Sequence, residues 1–437
     1  MKKVILVIIT LLCVSGILAD GAKYLIIAPD SFVQAVQPLA DWKTKKGVKA
    51  MVVPLSVTGN TALQIKNYIL NGYNNWEIRP EYILLAGLGT VVPYYSSSDD
   101  YFANMTGNYQ IELSIGRFPC ISVDQINKVV AKTLSYERTL FLTDTTWFIK
   151  GTSVVREGSY AEDDDSMYWA NARYIMGLWQ SANYTHIDSL SRLRGDSARH
   201  VENAITDGRA YVVYQGAAVA NWWNPFPIDT ARINNGLKLP IIISATSATM
   251  SLTSSGYLGD ILLNAGTAQN PKGVVGFWGT NGIGSHIAIY RGVVAKGFFS
   301  SVFEDGIYKL GDAAKKSKII LDSLYHIQTR YQEWNLYGDP ELNLWTAVPK
   351  PLSVTYDSII HPTPCSVTVS VLSNGIAVRN ALICLMKDST IYECGYSNGY
   401  GIKAFSIAPQ DTGTISITVT ARNCHPFEGV IRVLPED

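Results

Sequence analysis

The stretch YVVYQGAAVANWWNPF, residues 211–226, decides how the rest of the chain is read. Tyr211 to Tyr214 are β-formers in an unbroken run, the pattern of a strand buried on both faces. The run breaks at Gly216 and passes through Ala217, Ala218, Val219 and Ala220 into Asn221, Trp222 and Trp223. At the carboxyl end of a strand in an α/β sheet, polar working groups usually collect. Here that position holds methyl groups.

Two later stretches repeat the pattern. PIIISAT (240–246) and GVVGFWGT (273–280) are equally apolar, and both end in small-residue turns, SATSATMS and GTNGIGSH. Neighbouring parallel strands carry their tips along one edge. The segments 216–222, 244–251 and 280–286 are therefore expected to border a ligand crevice. Further out, YLIIAP (24–29), VKAMVVPLS (48–56), EYILLAGLG (81–89), YQIELSIGRFP (109–119) and IKGTSVV (149–155) read as strands. Helical patterns separate them, at 32–46, at 62–76 and from a cap at Asp124 to Arg138. That alternation predicts a parallel sheet flanked by helices, in two halves, 22–145 and 146–348. A proline-punctuated linker, TAVPKPLSV (346–354), follows. Beyond it the period changes to two, with turn dipeptides at Asn374-Gly375 and Asn398-Gly399, which predicts an immunoglobulin-like β-sandwich over 351–437.

The chain has 437 residues, 47% of them hydrophobic and 16% charged, which suits several well-cored domains. Lys plus Arg equals Asp plus Glu, so net charge gives no reason to expect nucleic acid or an anionic membrane as partner. The opening MKKVILVIITLLCVSGILADG has a basic start, a short apolar run and small residues after it. It reads as a secretory signal peptide over residues 1–19, cut near Ala19, and predicts a secreted or cell-surface protein. The run is too short to span a bilayer, and no later run is long and apolar enough to do so. Cys365, Cys384, Cys394 and Cys424 fall in the last fifth of the chain, so an oxidising compartment predicts one or two disulfides there.

QPLADWKTKKGV, YILLAGLGTVVP, IELSIGRFP, YVVYQG, NNGLKLPIIIS, NLYGDPELNLWTAVPKPL and ARNCHPFEGVIRV stand in this order along the chain. In sequence and order these blocks resemble the gingipain family of secreted cysteine peptidases. The resemblance runs from about residue 22 to the end and implies a caspase-like fold acting on protein or peptide. In that family the strand matching YVVYQG is followed by a catalytic His, and the strand matching PIIISAT by the nucleophilic Cys. Carried over, the His position is Ala217 and the Cys position is Ser247. The glycine after the His becomes Ala218.

A thiolate attacks a carbonyl because a neighbouring imidazole activates it and later protonates the leaving amine. General acid–base help of that kind is worth roughly 10²–10⁴-fold. With Ala217 and Ser247 in those places the copy is expected to be disabled. The alternatives are a non-catalytic peptide- or glycan-binding protein, or an engineered inactive form. Ala218 speaks against engineering, which rarely alters the neighbouring glycine as well.

His286 ends the third tip, so a relocated Ser247–His286 dyad is the sharper reading; a surface or helix-start histidine is the plainer one. Gly216, Asn221, Trp222 and Trp223 are candidate ligand contacts, with one tryptophan expected in the core and one on the rim. The implied chemistry requires no cofactor. Asp163, Asp164 and Asp165 are candidates for calcium, which gingipain-type domains are known to bind; the plainer reading is an acidic first turn favoured by the helix dipole. Substrate preference and oligomeric state are not legible.

Overall fold

The computed structural model describes residues 21–158, 164–283 and 288–436. Among the described residues, twelve strands precede the linker. They are β1 (Tyr24–Ala28), β2 (Ala50–Pro54), β3 (Tyr82–Ala86), β4 (Ser114–Phe118), β5 (Lys150–Val155), β6 (His186–Ser191), β7 (Tyr211–Gln215), β8 (Ala218–Val219), β9 (Asn221–Trp222), β10 (Ile241–Ala245), β11 (Gly276–Thr280) and β12 (Trp334–Gly338). Ten of them form one sheet in the order β2-β1-β3-β4-β12-β11-β10-β7-β5-β6, and β8 and β9 make a separate small hairpin. The expected strands at 210–216, 240–246 and 273–280 are β7, β10 and β11, and they are parallel neighbours.

The two halves are not separate sheets. They join where β12 lies parallel to β4 and antiparallel to β11. The half from β2 to β12 therefore runs opposite to the half from β11 to β6. Sequence patterning shows neither β12 nor β6. The first is a five-residue strand, WNLYG, that follows a helical stretch directly. The second, HIDSLS, is an edge strand with little apolar content. The helix expected to be capped by Asp124 is Val123–Glu137; its cap is Ser122, whose hydroxyl accepts from the Gln125 N–H at 3.3 Å. Asp124 instead occupies the first turn, where the helix dipole favours an acid.

Beyond the linker, a four-stranded and a five-stranded sheet enclose a core that includes Val367, Ile383, Leu385, Ile415, Ile417 and Val419. This sandwich packs on the helix Val33–Lys45, where the Tyr392 hydroxyl donates to the Thr44 carbonyl at 3.1 Å, and on the end of the helix Val123–Glu137, where Glu428 accepts from Arg138 at 2.7 Å.

Beneath that contact lies a fully buried ion network. The Lys43 ammonium is 2.7 Å from Glu137, 2.6 Å from Asp339 and 2.7 Å from Glu341. Lys46 adds contacts of 2.5 Å to Glu137 and 2.6 Å to Glu341. Burial alone would raise the carboxyl pKa of Glu137, but Lys43 and Lys46 outweigh it and hold the group below its ordinary value. Removing one partner from such a network strands the others as unpaired buried charges. Glu137→Ala is therefore expected to lower unfolding stability by about 3–5 kcal/mol, read from urea denaturation. Because the folded pKa is depressed, the stabilisation from Glu137 is present above the ordinary carboxyl range and lost as pH falls through the folded value.

The five described cysteines are free, which corrects the expectation of disulfides in the carboxy-terminal module. Cys384 and Cys394 oppose each other across an antiparallel strand pair, with Sγ atoms hydrogen-bonded at 3.1 Å. Cys365 and Cys424 are not part of this pair. Oxidised glutathione, leaving as two glutathione thiols, is expected to cross-link Cys384 to Cys394 alone. Peptide mapping that finds Cys365 or Cys424 in the bridge would contradict this.

Candidate functional site at the strand tips

The tips of β7, β10 and β11 lie side by side, as the strand order requires. After β7 the chain passes Gly216 at φ +150°, where a Cβ would sit 2.8 Å from the Arg156 carbonyl oxygen. It then folds back through the β8–β9 hairpin, whose turn residue Ala220 has φ +62°. The hairpin is stitched to the β10 tip. Ala220 N–H donates to the Ala248 carbonyl and Leu258 N–H to the Ala220 carbonyl, each at 2.7 Å. The Thr246 hydroxyl donates to the Gly216 carbonyl at 2.6 Å.

Ala217 is half-buried, and its carbonyl accepts from the Tyr214 hydroxyl at 2.7 Å. Ala218 is buried opposite Trp222 in the hairpin. Trp222 is buried too; it stacks on Tyr214 at 4.3 Å and donates its indole N–H to Ser244 at 2.9 Å. Trp223 is 48% exposed and lies 5.6 Å from the Arg156 guanidinium. Of the pair, then, one is in the core and one on the rim, where Trp223, Arg156, Val219 and Asn221 line a shallow depression. Asn221 braces its own loop: its side chain accepts from Ile228 N–H at 3.1 Å and donates to the Ile228 carbonyl at 2.9 Å.

Ser247 is buried at the β10 tip, and its hydroxyl accepts from Arg291 Nη1 at 2.9 Å. Arg291 stands on the helix Ala288–Phe303 and is itself buried. Burial lowers its pKa, opposed by Glu333 at 3.2 Å. It also donates to the Gly282 carbonyl at 3.2 Å. Glu333 in turn takes Arg330 at 2.8 Å. So the Ser247 hydroxyl faces a guanidinium, which cannot accept a proton. The tips 216–223, 246–250 and 281–283 contain no histidine. His286 lies outside the described residues, and the structure does not bear on the relocated dyad.

Next to β7, just past β5, is the buried carboxylate of Glu157. It accepts from Ser191 at 2.5 Å and from the Trp169 indole at 3.1 Å. Asp164 and Asp165 sit in the first turn of the helix Asp164–Ser181, and Asp165 accepts the Gly158 N–H at 2.8 Å. Asp163 lies outside the described residues. Among those described, no group of three or more His, Cys, Asp or Glu is arranged to hold a metal.

Sequence reasoning missed Arg291, Glu333 and Glu157. Arg291 had a visible signal: an arginine within the otherwise mostly apolar AIYRGVVAKGFFSSVF must be buried with a partner or exposed alone.

The chain is 23% identical over 405 residues to gingipain R1 of Porphyromonas gingivalis, covering 86% of this chain and 39% of that protein. It is 19% identical over 443 residues to Lys-gingipain HG66 of the same organism, covering 92% of this chain and 25% of that protein. It thus spans well under half the length of these relatives. The crystal structure of the Arg-specific cysteine proteinase gingipain R superimposes with a TM-score of 0.85 at 19% identity, covering 95% of this chain and 98% of that one. At that identity the superposition speaks for the fold: a caspase-like sheet followed by a β-sandwich. The family model "Peptidase family C25" matches residues 17–345, and the chain belongs to that family.

Proposed function

We propose that this chain is a secreted gingipain-type peptidase domain whose catalytic centre is silent, and that its strand-tip edge holds an extended segment of protein or peptide. The observation that carries the reading is the pairing at the two expected catalytic positions. Ala217 has no proton-transfer group, and Ser247 receives a hydrogen bond from a guanidinium that cannot act as base. Arg291 donates to the hydroxyl and takes up no proton, so it does not supply the general-base role that an imidazole at position 217 would fill. Glu333 is a poor substitute base because Arg291 and Arg330 already occupy its oxygens.

The leader-like residues 1–19 support secretion, and among the described residues no helix is long and apolar enough to cross a membrane. Domain limits of 22–145, 146–348 and 351–437 belong to this proposal. So do the ligand contacts at Gly216, Asn221, Trp222 and Trp223. Cysteine-peptidase chemistry itself requires no cofactor. Calcium at the acidic run would serve the scaffold rather than a chemical step.

The purified protein is expected to leave mixed peptide libraries uncut and to resist serine-directed fluorophosphonate labelling. Fluorophosphonate labelling at Ser247 that disappears in His286→Ala would sink the silent-site reading in favour of a serine dyad.

Replacement restores the chemistry in two steps. Ser247→Cys alone should give a thiol labelled rapidly by iodoacetamide at neutral pH, because Arg291 stands within hydrogen-bond reach and a cation lowers a thiol pKa. Adding Ala217→His should bring peptide hydrolysis up by roughly 10²–10⁴-fold over the single variant. An unreactive thiol in the Ser247→Cys variant would show that Arg291 does not govern this position.

A further inference from the structure

Along the strand-tip edge, the order of elements runs from the rim at Trp223, past Ser247 beyond β10, to Asn281 and Gly282 beyond β11 and Gln332 and Glu333 before β12. It does not end there. The loop after β3 crosses to the same edge. The Ser97 carbonyl accepts from the Asn281 side chain, and Asp99 N–H donates to the Asn335 side chain at 3.0 Å. Behind this loop is a cavity of about 430 Å³, within the usual range for ligand sites of about 300–1,000 Å³.

Lys66, Tyr101, Ser97, Asn108 and Gln332 are among its lining residues. The Lys66 ammonium nitrogen is buried and has no hydrogen-bond partner. It lies 5.6 Å over the Tyr101 ring, which stacks on Tyr95 at 3.9 Å. Burial lowers its pKa to about 8, so it remains largely charged at neutral pH. Asp100 is paired with Lys318 at 2.6 Å. Glu112 accepts from the Met105 N–H and, at 2.7 Å, from the Thr106 hydroxyl, and its charge favours the Lys66 ammonium without a hydrogen bond to it. Lys66 is thus an ammonium at a polar cavity with its hydrogen-bonding capacity unused, which a ligand carboxylate would take up.

The cavity shares a thin wall with the Ser247 site. Asn281 bonds the cavity loop, while its neighbour Gly282 bonds Arg291. Gln332 lines the cavity, while its neighbour Glu333 pairs with Arg291. We infer that this cavity is an acidic-residue pocket of the peptide cleft, in which Lys66 receives the side-chain carboxylate of an Asp or Glu in the bound segment. The inference rests on the edge being a peptide cleft. A bound peptide, rather than a free acidic sugar, is favoured because the cavity lies in line with the tips.

The test uses fluorescein-labelled decapeptides of neutral sequence carrying one glutamate, moved position by position and compared with glutamine, with binding to the full-length protein read by polarisation. Glutamate at one register is expected to bind at least tenfold more tightly than glutamine. Lys66→Met should abolish that difference, and Lys66→Arg should keep part of it. Equal affinity for glutamate and glutamine at every register overturns the pocket but leaves the peptide cleft standing. A second readout follows the Lys66 side-chain NMR signal during titration with N-acetyl-glutamate amide, which needs no cleft. A shift there, with no decapeptide bound, keeps the carboxylate pocket and discards the cleft. No shift and no peptide preference sinks the pocket outright. Binding of glucuronate in place of the glutamate probes overturns the peptide assignment.

Discussion

The ammonium group of Lys43, enclosed by Glu137, Asp339 and Glu341, is the contact on which the rest of the structure depends. Those residues come from the first helix, the helix Val123–Glu137 and the turn after β12. Charges this deep cannot be left unpaired, so the three segments have little freedom to move apart. The consequence is topological. β12 is the strand that joins the two half-sheets, and the chain just beyond it is clamped to the first half. The sandwich then settles on the outside of the same helix through Thr44.

With β12 fixed, the half-sheets run in opposite directions, and a loop from the first half can reach the tips of the second. The Asn281 and Asn335 side chains hold that loop. The candidate site is therefore composite. Tips from β7, β10 and β11 supply its floor, and the segment around Ser97 closes one end. The β7 tip keeps its shape through Trp222 stacked on Tyr214 and through the hairpin stitched to Ala248. None of these contacts uses the side chain of Ala217. The tip is therefore held in shape by atoms other than that side chain.

The Ser247 position has the reverse arrangement. Arg291, Glu333 and the Gly282 carbonyl form a polar network beside the Ser247 hydroxyl. A Cβ at Gly282 would lie 2.5 Å from a Glu333 oxygen, so a larger residue there would push that carboxylate aside. A buried guanidinium must be satisfied whatever occupies position 247, so this network persists on structural grounds and still shapes what the position can do.

Sequence alone determined the apolar strands β1, β3, β7, β10 and β11, the helices between them and the change of period after the linker. Each is set by local composition and by a period of two or 3.6, which neighbouring residues carry by themselves. The blocks quoted from 22 onward also determined the family, and with it the interest of Ala217 and Ser247. Tertiary structure decided the rest. That β12 is a strand at all follows from the ladders it makes with β4 and β11, not from five residues of its own sequence. The cysteines of the sandwich were counted correctly from sequence, but strand register brings only Cys384 and Cys394 together. Arg291 stands 44 positions from Ser247 and Lys66 stands on another half of the sheet from Arg291. Long-range pairings of this kind leave no periodic trace along the chain. Only packing brings such groups within reach of one another, and only burial gives their charges chemical weight.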